Sequence, residues 1–256
     1  MRLHIIACRV LQREFSAALA HTPNMIDVSY LPQGLHNTPD ELRRLLQEEI
    51  DRIFEHYEKG RVSYLPDAIV LGYGLCSNAV LGLTGRSLPL IVPRTDDCMA
   101  LFLGSQQRYL DYFSSHSGTY WLNNGWIEAS RIPTRQMMEE HYEEMVEKYG
   151  EDNADFLLEQ EMLWTKNYKA CGFIDSPLFH NEAYIDVAKA FAADFGWSFF
   201  RVDGDSRLID RICHGQFDDR DFLTCPPHHT VIAAYDGSKM AAKATDAVAN
   251  AEKAAE

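Results

Sequence analysis

The sequence predicts an α/β fold with a parallel sheet of βαβ units, Rossmann-like and doubly wound, with a helical insertion and a second, smaller α/β lobe. Two short apolar runs, residues 68–71 and 88–92, are rich in Val and Ile and bounded by Gly or Pro. Such runs are typical of strands buried on both faces. A helical pattern with a 3.6-residue period precedes them and ends at Gly60. This alternation predicts parallel strands joined by right-handed crossovers.

The first half of the chain contains four predicted strands. Residues 3–7 and 25–31 form the first two, with a short helix at 14–20 between them. Thr38 as N-cap, Pro39 at the first helical position and Glu41 predict a helix that opens with a capping box. The two buried runs supply the third and fourth strands, and a further helix is predicted at residues 97–113.

The second half alternates again after a helical stretch. A short aromatic strand and turn is predicted at residues 118–126, and two acidic helices at 134–149 and 153–168. The remaining predicted elements are a strand at 169–175, a helix at 181–195, a strand at 197–202, a helix ending near residue 214 and an ordered stretch at 222–231. We therefore divide the chain into an α/β lobe at 1–130, a helical excursion at 131–168, a second α/β portion of the same compact unit at 169–235, and a disordered or solvated tail at 236–256.

Composition narrows the class of partner. The formal net charge of −14 argues against nucleic acid and anionic membrane surfaces, both of which call for basic patches. No apolar run approaches the roughly 18 residues that a membrane span needs. The apolar stretch at residues 3–8 is followed at once by Arg9 and Arg13, which favours a first strand over a secretory signal. A cytoplasmic protein is predicted, with thiols reduced unless they are catalytic or metal-bound.

Three of the six cysteines, Cys8, Cys76 and Cys98, follow predicted strands. Ligands of open parallel sheets bind beyond the carboxyl ends of the strands. If these strands are parallel neighbours, the three thiols face one crevice. Three thiolates with an open fourth position suit a zinc ion, or an iron–sulfur cluster with one unligated iron. The alternative is that the cysteines are small buried hydrophobes.

A second hypothesis makes Cys76 a nucleophile. Gly74-Leu75-Cys76 resembles half of a nucleophile elbow, but Asn78 stands where the pattern requires a second glycine. Gly74 and Asn78, which flank Cys76 in a glycine-rich loop, are the candidate cofactor-binding residues. The loop matches no nucleotide-binding motif. A nucleophile also needs a base, for which the candidates are His180, His214, His228 and His229.

Charged side chains surround Cys98 in the sequence. Arg94 is predicted to hold an anionic substrate group, and Asp97 to accept or donate a proton. The alternative is structural: Thr95 or Asp96 caps the following helix, and Arg94 forms an ion pair.

Several of these segments resemble one protein family. They are Ile6-Ala7-Cys8, residues 71–76, residues 93–98, Phe102-Leu103-Gly104-Ser105, Gly118-Thr119-Tyr120 with Gly125-Trp126, Gly204-Asp205, residues 217–222 and the Pro-Pro at 226. The pattern is similar to that of the domain of unknown function 1638 family, found in bacteria and archaea, often alongside corrinoid-dependent methyltransferases. The resemblance implies a site at Cys8, Cys76, Arg94, Asp97 and Cys98 and a link to one-carbon metabolism. Cys225 and His228 depart from the family pattern.

The leading hypothesis is a metal-dependent transferase or lyase with zinc or an iron–sulfur cluster on Cys8, Cys76 and Cys98. It would act on a small anionic substrate in methyl or one-carbon transfer. The alternatives are a non-catalytic accessory or binding protein of a corrinoid methyltransferase system, and a metal-free enzyme with Cys76 as nucleophile. The sequence assigns no role to Cys171, Cys213, Cys225 or the His228–His229 pair.

Overall fold

The computed structural model describes residues 1–130 and 132–245, which form two compact units. The first unit comprises Met1–Arg108 together with the described residues from Asp205 onward, and the second comprises Tyr109–Gly204. Each unit contains its own parallel strands, which confirms the predicted α/β class. The boundaries suggested by the sequence at residues 130 and 168 both fall inside the second unit.

The secondary structure follows the predicted alternation. The strands are β1 Arg2–Cys8, β2 Met25–Leu31, β3 Ala68–Gly72, β4 Leu90–Pro93, β5 Thr119–Asn123, β6 Ala170–Asp175, β7 Ser198–Asp203, β8 Phe222–Cys225, β9 His229–Ala233 and β10 Met240–Ala244. The α-helices are α1 Gln12–Leu19, α2 Pro39–Glu58, α3 Met99–Phe102, α4 Gln106–Ser115, α5 Asn124–Ala129, α6 Arg135–Tyr149, α7 Glu151–Met162, α8 Glu182–Asp194 and α9 Arg207–His214. Among the described residues, no helix has the length and apolar character needed to cross a membrane.

The sheet of the first unit has the strand order β2-β1-β3-β4-β8. β1 to β4 run parallel, and β8 pairs antiparallel with β4. β1, β3 and β4 are therefore the parallel neighbours that the cysteine spacing required. β3 and β4 are buried along their whole length, which explains why both read as unbroken apolar runs. The chain adds β2 on one side of β1 and β3 on the other, so a topological switch point lies between β1 and β3.

The second unit is built on a three-stranded parallel sheet with the order β5-β6-β7. Its core is a cluster of buried side chains from β5, β6 and α8, joined by one residue before α6. The members are Leu122, Ile132, Cys171, Phe173, Ile185, Ala188, Phe191 and Ala192. Cys171 is thus a core residue, in keeping with the general preference of free cysteine for burial.

The predicted tail is wrong for residues 236–245. Met240–Ala244 forms β10, which pairs antiparallel with β9, and Met240 is fully buried. Sequence periodicity missed this strand because its pairing depends on backbone hydrogen bonds, and the run of small residues carries only one large apolar side chain. The rest of the predicted tail, residues 246–256, lies outside the described residues.

Two predicted helix features also need correction. α2 begins as expected after Thr38, but the Thr38 hydroxyl donates to the Leu35 carbonyl instead of capping the helix. The helix predicted at residues 97–113 is broken into α3 and α4 at Gly104, whose φ is +67°. A Cβ at Gly104 would lie 2.6 Å from Cγ of Asp205. The two family-like segments around Gly104 and Asp205 therefore meet in the first unit.

Candidate functional site

The carboxyl ends of β1, β3 and β4 bring Cys8, Cys76 and Cys98 together. Cys8 is the last residue of β1, and the other two thiols lie in the segments that follow β3 and β4. They are close enough that a negative charge on Cys8 or Cys76 raises the pKa of Cys98. Because β1 and β3 flank the switch point, this cluster lies where open α/β sheets bind their ligands.

The surroundings of the thiols disfavour free thiolates. Burial is the main cause that raises the pKa of Cys8, Cys76 and Cys98. The charge of Asp97 raises the pKa of Cys76 and Cys98 further. Hydrogen bonds from the Val10 N–H, the Tyr73 hydroxyl and the Arg9 N–H act in the opposite direction on the pKa of Cys8. The thiols are therefore protonated at neutral pH unless a cation takes the place of their protons.

Two buried hydroxyl groups lie at the same strand ends. They belong to Tyr73 and Thr95, whose residues are 3% and 1% exposed. The Tyr73 hydroxyl is hydrogen-bonded to the Cys8 thiol, and burial followed by the charges of the three cysteines raises its pKa well above the ordinary value. The Thr95 hydroxyl has no hydrogen-bond partner. An unsatisfied buried polar group costs about 1–3 kcal/mol, so this hydroxyl calls for a ligand, an ion or ordered water.

The donor chemistry of the cluster fits zinc or iron, but the donor atoms are not pre-arranged. Within residues 1–130 and 132–245, no three His, Cys, Asp or Glu side chains have their donor atoms gathered as a bound metal ion requires. The three thiols would have to turn toward a common centre to bind one ion or one cluster.

A strained turn presents Cys76. Cys76, Ser77 and Asn78 have φ values of +43°, +60° and +66°, a left-handed conformation that L residues adopt at a cost of about 1–2 kcal/mol each. The turn is held against the segment after β4, where the Thr95 carbonyl accepts from the Leu75 N–H and the Asp96 carbonyl from the Cys76 N–H, at 2.8 and 2.9 Å. Such strain in a non-glycine segment is characteristic of functional sites.

Replacing Ser77 tests this strain. Ser77 is exposed, so its substitution removes little packing. We expect Ser77→Gly to be about 2 kcal/mol more stable than Ser77→Val, because glycine adopts positive φ freely and a β-branched residue does not. Urea denaturation of the two variants measures the difference. Equal stabilities, or a more stable valine variant, would contradict the left-handed turn.

Gly74 and Asn78 have structural explanations beside their predicted cofactor-binding role. Gly74 allows close approach of two loops: a Cβ there would lie 2.4 Å from Oγ1 and 2.5 Å from the carbonyl oxygen of Thr95. The Asn78 carbonyl accepts a hydrogen bond from Arg43 at 3.1 Å. Contact of either residue with a cofactor stays a prediction.

Arg94 ties three segments of the first unit together. Its Nε donates to the carbonyl oxygens of Asp219 and Phe222, at 2.9 and 3.2 Å, and its Nη1 donates to those of Ser238 and Met240, at 2.7 and 2.5 Å. Instead of the ion pair that the structural alternative predicts, the planar guanidinium of Arg94 donates hydrogen bonds to peptide carbonyl oxygens. A substrate contact of Arg94 stays a prediction.

Asp96 and Asp97, the two acidic residues that follow β4, contact different groups. Asp97 accepts the Met99 N–H at 2.8 Å just ahead of α3, while its charge acts on Cys76 and Cys98. Asp96 pairs with Lys239 at 2.5 Å and with Gln106 at 2.7 Å. The N-cap of α3 is Cys98, without a side-chain cap hydrogen bond. Neither Thr95 nor Asp96 therefore caps the helix, and a proton-transfer role for Asp97 remains a prediction.

Three of the four candidate histidines, His180, His214 and His229, have other partners, and the fourth, His228, is exposed. His180 lies in the second unit, where its ring nitrogens meet Asp175 and Glu182, both at 2.8 Å. His214 is paired with the Asp210 carbonyl and His229 with the Pro227 carbonyl. After burial, the groups that shift the pKa of Cys76 are Asp97, Cys8 and peptide N–H donors, and no candidate histidine is among them.

The pH dependence of His180 can be tested. Hydrogen bonds to Glu182 and then Asp175 raise its pKa above the ordinary 6.5. A raised histidine pKa contributes stability that is complete below pH 6.5 and is lost as the pH rises through the folded-state pKa. An NMR titration is expected to place the His180 pKa above 6.5, and Glu182→Gln and Asp175→Asn are expected to lower it. A value at or below 6.5 in the unmodified protein would contradict both contacts.

Lys239 lies in the supposed tail, and nothing in the sequence signals its pairing with Asp96. Tyr73 and Thr95 fall in the family-like segments 71–76 and 93–98, which assign them no contact with the thiols. The Tyr73–Cys8 hydrogen bond and the lack of a partner for the Thr95 hydroxyl become visible only in the folded chain.

Together, the fold and the site define an α/β protein with a cluster of three thiols, two buried and one partly buried, at the carboxyl edge of a parallel sheet. Over residues 30–213 the sequence matches the family described as "Protein of unknown function (DUF1638)", and the chain belongs to that family. The match includes Cys76, Arg94, Asp97 and Cys98, and begins after Cys8. Neither the curated proteins nor the solved structures that were searched contain a match.

Proposed function

We propose that this chain is a cytoplasmic, metal-dependent enzyme that binds zinc or an iron–sulfur cluster through Cys8, Cys76 and Cys98. Its substrate is a small anionic molecule, and its reaction a methyl or one-carbon transfer linked to corrinoid-dependent metabolism. The reaction class rests on the family resemblance, and the site rests on the chemistry of the strand ends.

The convergence of the three thiols carries the proposal. Three cysteines lie at neighbouring strand ends beside a switch point, and burial, reinforced at Cys76 and Cys98 by the charges of neighbouring cysteines, keeps them protonated. A cation would relieve that repulsion by binding all three as thiolates. The buried Thr95 hydroxyl, which has no hydrogen-bond partner, also favours a ligand near the cluster.

The bound group would supply Lewis-acid or redox chemistry. The residues of the chain would bind and orient the substrate around it. Asp97, whose charge acts on two of the thiols, is placed to accept or donate a proton. The guanidinium of Arg94 would attract the anionic group of the substrate.

Metal analysis of anaerobically purified protein tests the site. The unmodified protein is expected to contain stoichiometric zinc, or iron with sulfide, and Cys76→Ala is expected to lose it. Cys171→Ala is the matched control, because Cys171 is a buried cysteine in the core of the second unit, and it should keep the metal. Absence of metal from the unmodified protein, or equal metal in Cys76→Ala, would refute the proposal.

The strained turn favours a nucleophilic Cys76 as the second candidate function. Nucleophile elbows hold their nucleophile on such a turn after a strand, and Cys76 follows β3 at φ +43°. The raised pKa of Cys76 opposes this hypothesis, because the thiolate is the reactive form. Metal-free protein in which iodoacetamide alkylates Cys76 rapidly at pH 7 would favour the nucleophile. Metal-free protein with an inert Cys76 would favour an accessory or binding protein of a corrinoid methyltransferase system.

A further inference from the structure

A cavity of about 350 Å³ opens beside the segment that follows β4. Arg94 and Thr95 form one wall, Gln106 at the start of α4 a second, and the turn between β9 and β10, with Lys239, a third. These wall residues belong to the first unit. The volume is at the small end of the range for ligand pockets, about 300–1,000 Å³, which suits a molecule with a few carbon atoms.

The charge balance of the cavity favours an anion. Lys239 is neutralised by Asp96, and Asp221 is neutralised by Arg211. Arg94, in contrast, binds only peptide carbonyl groups and forms no ion pair with any residue of the described ranges. A partly buried guanidinium without a carboxylate partner leaves a positive charge that an oxyanion can compensate.

Two exposed carboxylates moderate this charge without cancelling it. Asp219 also lines the cavity, but it is solvent-exposed. Asp236 is likewise exposed; its pKa is lowered mainly by hydrogen bonds from Ser238, and Arg94 is the smallest cause. Charges in contact with water are strongly screened, so the charge of Arg94 remains the main electrostatic feature of the buried wall.

Thr95 supplies a hydrogen-bond donor in the same wall. Thr95 borders the cavity, and its buried hydroxyl, which faces Gly74, has no hydrogen-bond partner. A hydroxyl donates readily to an oxyanion, and the resulting bond is charge-assisted. Once the Thr95 side chain turns from Gly74 toward the cavity, one anionic oxygen there would satisfy both the Thr95 hydroxyl and the charge of Arg94.

The cavity and the thiol cluster share one peptide segment. The carbonyl oxygens of Thr95 and Asp96 hold the turn that carries Cys76, and Cys98 follows in the same loop. We propose that this cavity is the substrate pocket, and that it binds a small carboxylate or phosphate with Arg94 and Thr95 as the anion-binding residues. The location of the anion site is inferred from the cavity alone. That the bound anion is the substrate of an enzyme depends on the proposed function.

Isothermal titration at low ionic strength tests the anion site, with inorganic phosphate, acetate and malonate as probes and chloride as the ionic-strength control. We expect saturable binding of at least one probe. Thr95→Val should weaken it about fivefold, the loss of one hydrogen bond, with no loss of folding because the hydroxyl has no partner to lose. Thr224→Val, at an exposed position of β8, is the matched control and should bind normally.

The outcomes separate this inference from the proposed function. Cys171→Ala, in the core of the second unit, should bind the probe as the unmodified protein does. Absence of saturable binding, or equal affinity in Thr95→Val and the unmodified protein, would overturn the anion site. Anion binding in a protein that holds no metal would leave the pocket in place and refute only the metal site.

Discussion

The Gly74→Ala variant is expected to lose about 3 kcal/mol of stability, at the upper end of the usual cost of an overpacked core. The added methyl group would lie 2.4 Å from Oγ1 and 2.5 Å from the carbonyl oxygen of Thr95. A side chain can rotate away, but the carbonyl cannot, because it also accepts the Leu75 N–H at 2.8 Å. The loop that carries Cys76 must therefore move away from the segment after β4.

The same displacement should weaken the proposed metal site. Movement of the turn separates Cys76 from the Asp96 carbonyl, and Cys76 is one of the three proposed ligands. Guanidinium denaturation and metal analysis measure the two effects. Ser87→Ala, an exposed position in the loop between β3 and β4, is the control and should stay within about 0.5 kcal/mol of the unmodified protein. Similar stability of Gly74→Ala would show that the two loops are not in contact.

The sheet edge was predictable because its signals are local. β3 and β4 read as buried runs, and parallel pairing of neighbouring strands follows from strand–helix alternation. Given that pairing, Cys8, Cys76 and Cys98 had to share one edge, and the structure brings them together. The pattern could not assign β8 to a sheet, because an apolar strand after the second unit fits either sheet.

The surroundings of the thiols were less predictable because they depend on contacts between residues that are far apart in the sequence. Lys239 meets Asp96 across 143 residues of sequence, and no periodicity links them. The left-handed turn at Ser77 contains no glycine that would signal positive φ. Close approach at Gly74 depends on where the loop after β4 passes. The cavity wall is assembled from such contacts, so it emerges only from the folded chain.

Arg94→Lys is expected to lose about 2–3 kcal/mol, although it keeps the positive charge. Arg94 reaches four carbonyl groups with a planar fork, and a lysine ammonium is a point donor that cannot span them. Carbonyl groups left without a donor carry the cost of an unsatisfied buried acceptor. Because two of them belong to Ser238 and Met240, hydrogen exchange at the amides of β10 should quicken.

The matched control is Arg220→Lys, since the Arg220 side chain lines the same cavity but is 77% exposed. It should change stability by less than about 0.5 kcal/mol. If Arg94→Lys is as stable as this control, the fork does not hold the β9–β10 hairpin. If Arg94→Lys is destabilised but binds phosphate as the unmodified protein does, then charge alone attracts the anion and the fork acts only on the fold. If Arg94→Lys loses both stability and phosphate binding, one guanidinium holds the hairpin and also binds the anion. The conformation of the hairpin then sets the position of the anion-binding charge.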